Sequence, residues 1–173
     1  MRRLTALAAL ATILALCTAA LTASPALAGR GPQWQLVPVR PFTLDARYCG
    51  FKVGVTLPVH HEYAKILKAA DGSITTLTTG ALTATFTNLR TGKAITENLS
   101  GPGKVTTAPD GSATVNEKGH NGLFFLPADA HRFGLPTLAV TTGPVTESVA
   151  PNGAITSLSR RGHILVDVCA ALG

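Results

Sequence analysis

Leu82-Thr83-Ala84-Thr85-Phe86-Thr87 alternates apolar and hydroxyl side chains at every step, and that alternation decides the fold class. A period of two puts Leu82, Ala84 and Phe86 on one face of an extended strand and the threonines on the other. The same rhythm runs upstream. Cys49, Phe51, Val53, Val55 and Leu57 share a face, with Gly50, Lys52, Gly54 and Thr56 opposite. Thr is abundant throughout, and its β-branched side chain suits strands better than helices. His61 to Ala70 also fits a helix, through Tyr63, Ile66 and Leu67. The Asp71-Gly72 that follows fits a hairpin arm equally well, and the reading leans to strand.

The turns between such runs repeat. Asp71-Gly72-Ser73-Ile74-Thr75, Asp110-Gly111-Ser112-Ala113-Thr114 and Asn152-Gly153-Ala154-Ile155-Thr156 follow one pattern, the last two preceded by Pro109 and Pro151. Asx-Gly pairs supply the backbone of tight hairpin turns, and the β-branched residue after them starts the return strand. Thr91-Gly92-Lys93 marks a fourth turn. The spacing approaches that of propeller blades, but without a shared aromatic signature the repeats read as hairpin chemistry. The expected fold is all-β, with about eight to eleven short antiparallel strands in a sandwich or a closed barrel.

The first 28 residues read as a secretory signal. Arg2 and Arg3 precede an apolar run from Leu4 to Leu21, and Ala26-Leu27-Ala28 offers the small residues of a cleavage site, placing the cut between Ala28 and Gly29. Leu16 before Cys17 is too large for lipoprotein processing, and the context after Arg2-Arg3 is a poor twin-arginine signal. Residues 29–47, punctuated by Pro32, Pro38 and Pro41, form an extended Pro-rich arm, and Trp34 is expected to dock that arm onto the body. Residues 48–173 form a single β domain. No stretch after residue 28 approaches the ~18 apolar residues of a membrane span.

Export leaves Cys49 and Cys169, which an oxidising compartment would pair. Such a bridge spans most of the domain and would join its first and last strands. The formal net charge of +6 falls to +4 when Arg2 and Arg3 leave with the signal, a mild surplus that suits weak association with anionic cell-wall polymers. Nucleic acid is a poor partner, because the one basic cluster is Arg160-Arg161 and no aromatic residues interleave with it.

Motifs for catalysis are missing. His60 and His61 are adjacent and point to opposite faces of a strand. His61-Glu62-Tyr63-Ala64-Lys65 fails the zinc-protease pattern at Lys65. His60 and Glu62 would share a face. Ser100-Gly101-Pro102-Gly103-Lys104 lacks the amide donors of a phosphate loop. Nothing calls for a metal or a cofactor. Asp167 shares strand parity with Leu165 and Cys169 and is expected to face the core, tied by a cation. His60, Glu62, His131 and Asp167 are the polar candidates for a site.

At Pro41-Phe42-Thr43-Leu44, Cys49-Gly50-Phe51, Leu82 to Asn88, Thr91-Gly92-Lys93, Leu99 to Gly103 and Asp167-Val168-Cys169, the chain resembles a group of small uncharacterised secreted proteins of actinobacteria. The resemblance implies secretion and a β-rich domain and supplies no catalytic residues. Subtilisin inhibitors and the chromoprotein apoproteins related to neocarzinostatin, two other secreted β families, usually hold two disulfides, and a single pair here sets the chain apart. The expected function is a secreted, non-catalytic β module with a binding or cell-surface role. A carrier of a small apolar ligand, lined by Leu123-Phe124-Phe125-Leu126, is the alternative. A secreted hydrolase is the third reading.

Overall fold

The computed structural model describes residues 31–173. The expected signal at residues 1–28 and the expected Ala28–Gly29 cleavage point lie outside the described residues. Two long strands, β3 (Val53–Lys68) and β4 (Ile74–Asn88), pair antiparallel and carry most of the architecture. They are longer than the short strands expected, and His61 to Lys68 is indeed strand. Each long strand serves two neighbours. On β3, the two-residue β1 (Gln35–Leu36) pairs with the far half and β2 (Phe42–Leu44) with the near half. On β4, β5 (Ala94–Asn98) takes the end and β6 (Gly103–Thr107) the beginning. The sheet then continues through β7 (Ala113–Glu117) and β10 (Val145–Val149) to β11 (Ile155–Arg160), without closing on itself. A second sheet holds β8 (His120–Phe124), β9 (Leu138–Thr142) and β12 (Ile164–Asp167) in the order β12-β9-β8.

The long hairpin splits its partners because it breaks register midway. Pairing jumps between Thr56 and Val59, around Pro58, whose missing N–H makes a bulge the place for it. On the facing strand Gly80 has φ +143°, and a Cβ there would lie 2.0 Å from the His61 carbonyl oxygen. Only glycine allows the two backbones to approach so closely. The three repeated turns close β3–β4, β6–β7 and β10–β11. In each, an alanine (Ala69, Ala108, Ala150) donates its N–H to the carbonyl four residues on and accepts from Gly72, Gly111 or Gly153. The Asp71, Asp110 and Asn152 side chains accept the N–H two residues ahead. These glycines have φ of +86°, +86° and +83°, as Asx-Gly turn chemistry requires.

The larger core lies between the near half of the hairpin and the second sheet. Val53, Val55, Leu82, Ala84 and Phe86 meet Phe124, Leu138 and Val140, with the Phe86 and Phe124 ring centroids 6.5 Å apart. Two short helices, α1 (Ala46–Cys49) and α3 (Val168–Leu172), pack on this core through Tyr48, Val168 and Leu172. A smaller core under α2 (Pro127–Phe133) gathers Leu123, Phe125, Ala130 and Val145.

The Cys49–Cys169 disulfide is present, across a sequence separation of 120. It joins helix to helix rather than first strand to last, because Gly50 (φ +76°) ends α1 before β3 begins and α3 starts one residue after β12. That helix start also corrects the expectation for Asp167. Strand parity stops there, so Asp167 is exposed and caps α3 by accepting the Ala170 N–H at 3.0 Å. The described part of the 29–47 arm is built into the sheet as β1 and β2. Trp34 does not dock it, being 46% exposed; Val37, 4% exposed, does so instead.

Replacing Gly80 with Val should destabilise the domain by more than about 2 kcal/mol, because it adds a Cβ against backbone at a left-handed φ. Urea denaturation followed by circular dichroism checks it. A midpoint unchanged from wild type would show that the hairpin tolerates a side chain at its bend.

Candidate functional site

A polar cleft opens where β6 begins, β7 ends and β8 begins. Backbone hydrogen bonds stitch its walls: Lys118 N–H donates to Pro102 O at 3.0 Å, and His120 N–H to Ser100 O at 3.1 Å. Ser100 is fixed in turn to β4, where its Oγ accepts the Leu82 N–H at 3.0 Å and donates to Leu82 O at 3.2 Å. The Ser100 to Gly103 stretch, excluded above as a phosphate loop, therefore serves as a wall. Glu62, Thr78, Glu117, His120 and Asn121 supply the polar lining and Leu82 and Leu99 the apolar part. The Asn121 amide donates to Gly143 O at 3.0 Å, which holds its side chain in place.

Glu62 and Glu117 belong to one face of the large sheet. The register places Glu62 and Ala64 beside Gly80 and Thr78, then Gly103, Glu117 and Val145 in succession. Glu147 lies diagonally from Glu117 on the same face, opposite Val115 and Leu158. It is 3% exposed, and its Oε1 has no hydrogen-bond partner. Burial disfavours the charged form of all three. It raises the Glu62 carboxyl above its usual range and lifts Glu147 to about 7. Glu117 reaches about 8, from burial first and then from the charges of Glu147 and Glu62. Glu117 is mostly protonated at neutral pH and presents a hydrogen-bond donor to the cleft.

Of the four expected site residues, only Glu62 lines this cleft. His60 sits two residues earlier on the same face, as expected, with its Nε2 buried and unpartnered, but it is not part of the lining. His131 is exposed on α2 and Asp167 is exposed at the start of α3. The four do not converge. Glu117 and Glu147 escaped the sequence reading, although Glu147 was legible. Val145-Thr146-Glu147-Ser148-Val149 alternates, and the glutamate falls on the valine face.

The cleft volume is about 40 Å³, room for roughly three waters, against ~300–1,000 Å³ for sites that hold organic ligands. A carboxyl pair that cleaves a glycosidic bond must flank that bond, and this space does not admit it. Of the expected carrier lining, Leu123, Phe124 and Phe125 are 3% exposed or less and fill the two cores, and Leu126 is half-buried against the larger one. Among the described residues, no group of three or more His, Cys, Asp or Glu could hold a metal ion. No helix there is long and apolar enough to cross a membrane. Comparison with family models, with curated proteins and with solved structures gives no match.

The raised carboxyls make stability depend on pH. Their folded values lie above the ordinary 4.5, so the folded state holds protons that the unfolded chain has already released. That contribution is complete below about pH 4.5 and is lost as pH rises towards 8. Glu117→Gln should flatten this slope, raising Tm at pH 8.5 by at least ~3 °C and leaving it unchanged at pH 4. Thermal melts across that range decide it; parallel profiles for variant and wild type would place the proton elsewhere. Asp167→Ala should cost about 1 kcal/mol through the lost cap, which chemical denaturation would register as a lowered midpoint.

Proposed function

We propose that this chain is a secreted, non-catalytic β-sandwich module that acts by binding at the cell surface. The observation that carries the reading is the lack of convergence. His131 and Asp167 lie on separate helices, away from the strand that carries His60 and Glu62, and the cleft holding Glu62 is too small for a substrate. The sandwich form is supported by the core packed between the near half of the hairpin and the β12-β9-β8 sheet. Export is supported by the Arg2-Arg3 start, the apolar run and Ala26-Leu27-Ala28. It is supported also by a disulfide, which persists in oxidising compartments. The resemblance to small secreted actinobacterial proteins agrees with this reading. A module that stays outside the cell and performs no chemistry would bind through its surface, and the outer face of the large sheet offers one.

Expression with the natural N-terminus, followed by fractionation and intact-mass measurement, tests the proposal. The expected species starts at Gly29, lacks two hydrogens for the disulfide, and occurs in the medium or with isolated cell envelopes. Full-length protein confined to the cytoplasm, or envelope fragments degraded by the purified protein, would overturn it.

A further inference from the structure

The large sheet segregates charge between its faces. All four carboxylates carried on strands of the large sheet, Glu62, Glu97, Glu117 and Glu147, point to the inner face by register. Among the described residues, no strand of this sheet presents an acidic residue on the outer face. One of its rows runs Lys65, Leu77, Lys104, Asn116, Thr146 and Ser159 across six paired strands. The next row presents hydroxyls from Thr75, Thr106, Thr114 and Ser148. Towards the β1 edge lie Tyr63, paired with Leu36, and then Trp34, all three exposed. Not one residue in these rows is buried, so no segment among the described residues covers the face.

We infer that this outer face docks a phosphate-bearing, hydroxyl-rich glycopolymer laid across the strands. The inference rests on the proposed surface-binding role and names its partner. Lys65 and Lys104 are two strands apart, about 10 Å at ordinary strand spacing, with no carboxylate between them to compete for the ammonium groups. A lysine ammonium is a compact point charge that takes a phosphate oxygen from any direction. Flanking hydroxyls on Thr106 and Thr114 both donate and accept, which matches the hydroxyls of a polyol or sugar backbone. A second copy of the chain is a poorer occupant, because two lysine-bearing faces repel.

The test is equilibrium binding of the intact, disulfide-bonded protein to immobilised poly(glycerol phosphate), polygalacturonate and dextran, at low and at moderate salt. Phosphate polymer should bind best, at least tenfold over dextran and over polygalacturonate, and weaken as salt rises. Lys65→Glu with Lys104→Glu should lower that affinity at least tenfold with Tm unchanged. Should the pair fail to fold, Lys104→Gln alone, at an exposed site, should still lower it two- to threefold. Three results would overturn the inference: equal binding of dextran or polygalacturonate, unaltered binding by the lysine variants, or a dimer in solution that those variants dissolve. An exported, envelope-associated protein that ignores poly(glycerol phosphate) would sink this partner and leave the surface-binding reading standing.

Discussion

The β3–β4 ladder is the interaction on which the rest of the structure depends. Fourteen register pairs join the two strands, and every other strand of the large sheet is attached to one of them directly or through a neighbour. A straight hairpin of this length would present one continuous face. The bulge around Pro58 and the close backbone approach at Gly80 divide it into two halves instead. The near half packs on the second sheet and supplies the main core; the far half extends through β6, β7, β10 and β11. Two small backbone features thus separate the half of the hairpin that builds the main core from the half whose sheet reaches the smaller core under α2 through Val145.

The ends of the chain are secured separately. The disulfide holds α1 against α3, and the Thr137 hydroxyl donates to Tyr48 O at 2.5 Å beside the Cys169 sulfur. Asn88, wholly buried, bridges the β4–β5 turn and α3: its amide donates to Leu172 O, and its Oδ1 accepts from Arg90 and Thr91 N–H. A buried amide whose donors and acceptor are used in this way costs little and fixes one geometry. Glu147 is the contrary case, a buried carboxyl with an unpartnered oxygen. The domain retains it at a cost in stability that grows as the proton leaves, which ties inner-face electrostatics to pH.

Much of the fold was legible because period-two alternation and Asx-Gly turns are local signals. They revealed the near strands and the three hairpins, while the cysteine pair came from counting the cysteines left beyond residue 28. The failures fall where local periodicity stops without a strong sequence mark. Cys49 and Cys169 looked like strand residues because short helices of four and five residues leave almost no pattern. Asp167 was assigned to the core by carrying strand parity one residue too far. The candidate site fared worse. Glu62 was found through a histidine neighbour, while Glu117 and Glu147 come from strands far apart in sequence, and only pairing puts them on one face.

By itself the sequence determined the β character, the hairpin turns and the identity of the bridged cysteines. Each depends on a backbone preference or a chemical pairing that a few residues specify. The tertiary structure alone decided the bend that splits the long hairpin, the gathering of three glutamates on the inner face and the clearing of acids from the outer one. Those are consequences of register between distant strands. Register is set by which faces must be buried together, and that is a property of the whole packed sheet rather than of any segment.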